Sequence, residues 1–372
     1  MKKWRGIFLT WAALLCITGC GKTAYIEDQR FIVAEGLDLD DEKKLVMYTA
    51  SPIFSREAKD KFKITKATAE TVREGKKNLE AKLNGKFGPG KLQSMLLGKK
   101  LLKETDALIY LDVFFRDPKY EINAYMIVVD GALEDVVHMN MSDKGQIGDV
   151  IKSMVESSYK SRISVQTSMQ KYHKQMMDSA LTPSLTEMRV EKNDLVISGT
   201  ALLHKDGTYA ASLDNQESSL LLLLQRDTSN PIPLTFHLPP EMFHTKEEMS
   251  YVSVNIKKGK VEFKTKLEEN LLTIDIQMKV QIDLVERMFT LDMAQQSEQL
   301  EQAIEQELTK ECQDLIKKFQ KHQLSPIGVG IHMRAHDYKN WRKVADNWGK
   351  ALSEAIVNVS TEVAIKNIGV SE

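Results

Sequence analysis

The sequence predicts a mixed α+β protein of three domains, and three observations carry that reading. First, Leu272, Ile274, Ile276, Met278, Val280, Ile282 and Leu284 occupy every second position, the signature of a strand with one buried face. Second, Leu300, Ile304, Leu308, Cys312, Leu315 and Phe319 fall three or four apart, one apolar stripe on a long helix. Third, short apolar runs alternate with helical patterns through the first half of the chain, as in an α/β domain. At 372 residues the chain exceeds one ordinary core. The expected division is a leader over 1–19, an N-terminal α/β domain over 20–182, a central domain over 183–248 and a sheet-plus-helices domain over 249–372.

The leader is the sharpest local signal. Lys2, Lys3 and Arg5 precede an apolar run from Ile7 to Ile17. That run of about 11 residues is far short of the ~20 needed to span a bilayer but fits a signal-peptide core. It ends in Leu15-Cys16-Ile17-Thr18-Gly19-Cys20, which resembles the bacterial lipobox. There the thiol is alkylated with diacylglycerol, and small preceding residues let the peptidase cut, here between Gly19 and Cys20. Two acyl chains meet the two-signal requirement for stable membrane attachment. With Cys16 removed and Cys20 lipidated, Cys312 is the single cysteine left, so no internal disulfide can form. No later stretch reaches 18 apolar residues, so everything after Cys20 is expected to be soluble.

Past a polar spacer, residues 31–34 and 45–48 read as strands around an acidic turn at Asp38 to Glu42. Residues 68–83 read as helical, and Gly85, Gly88, Pro89 and Gly90 break the pattern. A strand near 94–97, helical turns over 99–115, a turn at Arg116-Asp117-Pro118, a strand over 124–129 and a mostly helical stretch over 151–177 complete the first region. Beyond Pro183, residues 195–203 look like a strand, Asp206-Gly207 a turn, and Ser219 to Leu224 a strand buried on both faces. Four prolines between Asn230 and Pro240 predict a surface excursion.

In the last region, Val252, Val254 and Ile256 alternate with polar residues. Lys258-Gly259 reads as a turn, and Val261, Phe263 and Thr265 continue before a turn at Glu268 to Asn270. The long strand then completes an antiparallel meander, covered by a helix from about Asp292 to Lys321. Pro326, Gly328 and Gly330 end that helix. Trp341, Val344, Ala345, Trp348 and Leu352 share a face of a final helix, and Val357, Val359, Val363 and Ile365 alternate on a closing strand.

Chemistry-bearing motifs are scarce. No phosphate-cradling glycine loop, dinucleotide fingerprint or G-x-S-x-G elbow occurs. His332 and His336, beside Asp337, are four apart, a metal-pair spacing on a helix. Residues 328–331 read as a strand start, however, which separates them, so no metal or cofactor is expected. His237 and His244 flank prolines as ordinary polar residues. Cys312 fits core packing better than a reactive thiol, and the two tryptophans fit packing better than ligand stacking. Asp38, Asp40, Asp214 and Glu217 are candidate acids for proton transfer, but nothing in the sequence pairs them. Lys+Arg 51 against Asp+Glu 52 leaves a charge of -1 and no basic excess, which argues against a nucleic-acid partner.

Taken in order, the motifs resemble those of the Ger(x)C family, the C subunit of nutrient germinant receptors of spore-forming bacteria. The lipobox comes first, then Gly36-Leu37-Asp38, then Arg116-Asp117-Pro118 followed by the strand through Val128-Val129. Gly199-Thr200-Ala201, Asp206-Gly207, Leu213 and Glu217 before Leu220 to Leu224 match the family's central block. Trp341-Arg342-Lys343-Val344, Trp348 and Ile368-Gly369 match its tail. The chain departs from the pattern at Asn215-Gln216, Ser218-Ser219 and Leu352.

The resemblance implies a non-enzymatic lipoprotein subunit on the outer face of the spore inner membrane. Its partners would be two integral membrane proteins, a channel-like A subunit and a transporter-like B subunit. The other reading of an exported, catalytically silent chain is a solute-binding lipoprotein that captures a small-molecule germinant itself. It requires a cleft with convergent polar groups.

Overall fold

The computed structural model describes residues 29–368 except 54–61, 84–85, 89–90, 118–119, 121, 140–145 and 244. The first sheet has eight strands. They are β2 (Ala34–Leu39), β3 (Leu45–Pro52), β4 (Phe62–Ala69), β6 (Ser94–Gly98), β7 (Tyr125–Val129), β8 (Ser184–Glu191), β9 (Asp194–Leu203) and β10 (Tyr209–Leu213), in the order β10-β9-β8-β7-β6-β2-β3-β4. β1 (Gln29–Arg30) and β5 (Lys86–Phe87) form a separate parallel pair. β2, β6, β7 and β8 run parallel, and antiparallel hairpins flank them on both sides.

Parallel strands need helical crossovers, which cover both faces and demand apolar residues on each. Ser94–Gly98 is accordingly buried throughout. α1 (Val72–Lys82), α2 (Lys99–Glu104), α3 (Ala107–Arg116) and α6 (Met169–Met177) cover the face carrying Leu37, Met47, Met95 and Val128. α4 (Leu133–Val137) and α5 (Ile147–Lys160) cover the face carrying Val46, Leu96, Ile127 and Met188. Side chains start the helices: Thr71 and Asp106 accept N-cap bonds from the backbones of Glu74 and Leu108.

The helical stretch expected over 151–177 is divided in two. α5 stops at Lys160, Arg162 turns left-handed at φ 63°, and the chain passes beside β7, where Met126 N–H donates to Thr167 O at 2.9 Å. The strand expected over 31–34 starts instead at Ala34, because its pairing with β3 and β6 carries Glu35 and Asp38 into the interior.

The second sheet orders β11 (Ile232–His237), β12 (Tyr251–Glu268), β13 (Leu271–Arg287) and β14 (Ile356–Asn367). Its apolar face is covered by α7 (Asn215–Leu224) and α8 (Met293–Lys321), with α9 (Val329–His336), α10 (Tyr338–Val344) and α11 (Trp348–Ser353) beyond. Several expectations change here. Lys258-Gly259 is paired strand within one 18-residue β12 and not a turn: the register against β13 shifts between Ile256 and Lys258, a bulge at Lys257, and then continues with Lys258 and Gly259 opposite Gln281 and Val280. The proline-rich stretch is an edge strand with Ile232, Leu234 and Phe236 buried; Pro233 is tolerated because an edge strand leaves an N–H position free. β14 runs parallel to β13, so the sheet is mixed and not purely antiparallel; the helices between them form the required crossover.

Ser219 to Leu224 is helix, not strand. Leucine favours helix, and Asp214 with Glu217 forms a full capping box at its start. An all-round apolar run fits either type when both sides are buried, so periodicity did not decide it. The division expected at residue 183 falls within the first sheet, to which β8, β9 and β10 belong, whereas β11 joins the second.

The free border of β14 is covered from α8. Glu305 accepts from Val363 N–H at 3.2 Å, Glu301 from Ile365 N–H at 2.6 Å, and Thr361 Oγ1 donates to Glu305 O at 3.0 Å. Such coverage removes a template for strand addition. Replacing both glutamates by alanine leaves two edge donors bare. It should cost about 1–3 kcal/mol in denaturant unfolding and raise light scattering in concentrated solution.

Candidate functional site

In doubly wound sheets ligands bind where neighbouring strands send their chains to opposite sides. That point here lies between β2, which continues to β3, and β6, which continues through α2 and α3 to β7. A cleft of about 680 Å³ opens at their carboxyl ends, lined by Asp38, Lys66, Lys99, Lys100, Asp130 and Glu134 among others.

Its floor explains Gly36-Leu37-Asp38. Asp38 is buried, and its carboxylate accepts from Leu39 N–H at 2.9 Å and from the backbones of Leu133 and Leu101 in the first turns of α4 and α2. Burial pushes its pKa up, and the backbone donors hold it back. A Cβ at Gly98 would lie 2.1 Å from Asp38 Oδ1, and one at Gly36 would lie 2.7 Å from Leu133 Cδ2. Glycine at both positions lets the carboxylate and α4 seat against the strand ends. Leu37 alternates to the opposite face and is buried.

The wall of the cleft is a charge cluster. Lys99 Nζ lies 3.0 Å from both Asp130 and the buried Glu187, 3.3 Å from Ser212 Oγ and 4.6 Å from the Tyr209 ring centroid. Burial works against the ammonium, yet Glu187, Asp130 and Tyr209 outweigh it and hold the lysine above its ordinary pKa. Lys66 pairs with Glu134 at 2.8 Å and Lys100 with Asp41 at 3.0 Å. These charges pair with one another, so the arrangement stitches the surrounding loops together.

A second polar cluster joins the sheets. Arg162, wholly buried, pairs with Asp227 at 3.1 Å, and Asp227 also accepts from Tyr159. Arg334 grips Asp178 through two bonds of 2.7 and 2.8 Å, holding the Asp178 carboxyl below its usual range. Gln216 of α7 donates to Thr235 O and to Glu311 of α8, while Glu217 pairs with Lys318 at 2.7 Å. Gly199, at φ 133°, lies where a Cβ would sit 2.0 Å from Leu213 O. The central sequence block therefore builds the joint.

The residues singled out from sequence land as follows. Gly19 and Cys20 lie outside the described residues, as does His244. Asp214 and Glu217 meet, but as a capping box, and Asp40 accepts from the backbones of Glu42 and Lys44 in a turn. Cys312 is buried, and burial raises its thiol pKa. Trp341 and Trp348 are buried, with ring centroids 5.1 Å apart. His332 and His336 lie on a helix and not at a strand start, which brings their rings to 4.4 Å. Among the described residues, no three or more His, Cys, Asp and Glu group as a metal site, and no helix is long and apolar enough to cross a membrane. Sequence reasoning missed Lys99, Glu187, Arg162 and Glu311, whose partners lie on distant segments; only Glu187, a charged residue within a buried strand, carried a local signal.

Two predictions follow from the buried Asp38 and the half-buried Glu311. Asp38→Ala removes a charged acceptor from several backbone donors and should cost about 2–3 kcal/mol in urea unfolding. For Glu311, burial first, then Glu307 and Asp214, raise the pKa from 4.5 to about 7 against the opposing bond from Gln216. The folded state thus holds this proton more tightly than the unfolded state. Stability falls as pH rises from 4.5 to about 7, and Glu311→Gln should flatten that part of the stability profile.

Comparison with known proteins bears directly on the whole chain. Residues 22–190 match the family described as "Spore germination protein N-terminal domain", and residues 198–369 match "Spore germination B3/ GerAC like, C-terminal". Spore germination protein GerQC of Bacillus cereus is 23% identical, the match covering 100% of each chain. Spore germination protein KC of Bacillus subtilis (strain 168) is 22% identical over 96% of this chain and 94% of its own length. The crystal structure of the GerBC protein superposes with a TM-score of 0.56 and 16% identity, covering 91% of this chain and 99% of that one, a likeness of fold. From the ordered motifs, both matched halves and the shared fold, the chain belongs to the Ger(x)C family of spore germination proteins.

Proposed function

We propose that this chain is the lipoprotein C subunit of a spore nutrient germinant receptor, held by diacylglyceryl-Cys20 on the outer face of the spore inner membrane. It acts by association with the A and B membrane subunits and catalyses no reaction. The observation that carries this reading is the end-to-end match to spore germination proteins behind a leader ending in Gly19-Cys20. A tether confines the folded body to a thin layer, which raises its effective concentration toward membrane partners without adding a contact. The inward-pairing charges of the main cleft agree with a role in binding proteins rather than turning over a substrate.

Deleting the gene should abolish germination with one nutrient and leave other triggers intact; normal responses across a broad nutrient panel would count against the assignment. Cys20→Ala should abolish lipid labelling and lower the amount of protein recovered with spore membranes. A variant retained and labelled like the parent removes the anchor from the account.

The second reading is a solute-binding lipoprotein. The cleft of about 680 Å³ at the carboxyl ends of β2 and β6 supplies the concave, polar-lined space that this reading requires. Calorimetry of the full chain against small polar solutes separates the readings, since measurable heat belongs to the second.

A further inference from the structure

His332 and His336 come together because the chain around them is helix. An extended segment would set positions four apart about 13 Å from one another, whereas on α9 they are about 6 Å apart along the axis and share one face. Gly328, left-handed at φ 80°, starts the helix, and His332 N–H donates to Gly328 O at 3.1 Å to close the first turn. The two imidazole centroids lie 4.4 Å apart, with the ring planes inclined at 40°. Two imidazoles that each place a nitrogen about 2 Å from one metal ion hold their centroids roughly 4.5–5 Å apart, so chelation needs only a small ring rotation.

The frame that carries the pair is fixed. Val329 and Met333, on the inner side of α9, are buried in the shared core. A Cβ at Gly330 would lie 2.8 Å from Trp348 Nε1, so the helix seats directly on that indole. Arg334 clamps α9 to Asp178 through its two bonds. His332 is half-buried, its ring edge-on to Phe263 at 6.0 Å, while His336 is exposed, which opens the pair to solvent. The neighbouring acid is already engaged: the Asp337 carboxylate accepts from Asn340 N–H at 3.3 Å and from Asn340 Nδ2 at 2.8 Å as the cap of α10. Among the described residues, no third His, Cys, Asp or Glu groups with the two rings.

We propose that His332 and His336 form a two-imidazole chelate for a divalent transition-metal ion of the nickel, copper and zinc class, with water in the remaining positions. A neutral imidazole offers one nitrogen lone pair, which suits these ions; magnesium and calcium call for several oxygen ligands, and the pair supplies none. Once one ring has bound, binding of the second is intramolecular, which gives the pair an affinity that a lone surface histidine lacks. Arg226, whose guanidinium lies 4.4 Å from the Phe263 ring centroid, keeps a positive charge on that side, so the affinity rests on the chelate and not on local field. An ion held across one turn of α9 binds the folded chain alone and stabilises it. The site stands apart from the receptor reading and does not depend on it.

The test is titration calorimetry of the untagged full chain in mild detergent against nickel, zinc and magnesium chlorides. Cys16→Ala and Cys20→Ala are built into every sample so that no leader thiol competes for metal. Nickel and zinc should bind saturably, and magnesium should give no saturable heat. His332→Ala and His336→Ala should each weaken nickel binding about tenfold or more. Saturating nickel should raise the melting temperature of the parent and leave that of both variants unmoved. His336 is exposed, so His336→Ala should melt like the parent without metal, and its lost binding then reports a lost ligand and not unfolding. No saturable nickel or zinc binding, magnesium binding of equal strength, a parent melting temperature that nickel does not move, or parent-like affinity in either variant overturns the proposal.

Discussion

Seven consecutive residues, Ser218 to Leu224, are buried on every side of a helix, and the rest of the molecule is arranged around that demand. An all-round apolar helix is stable only when enclosed. Enclosure here comes from two sheets at once: the leucines share a single core with Leu202 and Leu213 of the first and with Ile232, Val254 and Ile276 of the second. The apolar face of the second sheet and the β9–β10 edge of the first both close on this shared element. The two halves matched by separate family descriptions are therefore physically one packing problem.

Burying a common core brings polar backbone and charged side chains in with it, and each needs a partner. The joint meets that need with Arg162 on Asp227, Arg334 on Asp178, and Gln216 and Glu217 on α8. Asp38 does the same at the strand ends, accepting from two helix starts and its own neighbour. The family-like sequence blocks thus encode fastening. Glu35 is the contrasting case, a carboxyl equally deep whose Oε1 has no hydrogen-bond partner among the described residues.

The sequence was most informative where one periodicity had one physical meaning. The alternation of Leu272 to Leu284 and the stripe from Leu300 to Phe319 became β13 and α8. It was least informative where local pattern and tertiary setting diverge. The run Leu220–Leu224 has no period to read, Pro233 looks like a breaker until its edge position is known, and Lys258-Gly259, next to the bulge at Lys257, imitates a turn. The direction of β14 depends on a crossover of several helices, which no local window contains. Among site residues, Gly36 and Asp38 were visible as a motif, but Lys99 with Glu187 and Arg162 with Asp227 meet only across 88 and 65 positions of chain, which spacing rules do not reach.

The hairpin of β12 and β13 sets a length scale. Strands of 18 and 17 residues, at about 3.3 Å per residue, reach roughly 55–60 Å from Tyr251 to the Glu269-Asn270 tip. A slip of one position would turn Ile274, Ile276 and Met278 toward water, so the two strands bend at their bulges but do not slide. The hairpin consequently behaves as a stiff ruler: a push at one tip arrives at the other as a tilt of the whole blade, with its span preserved.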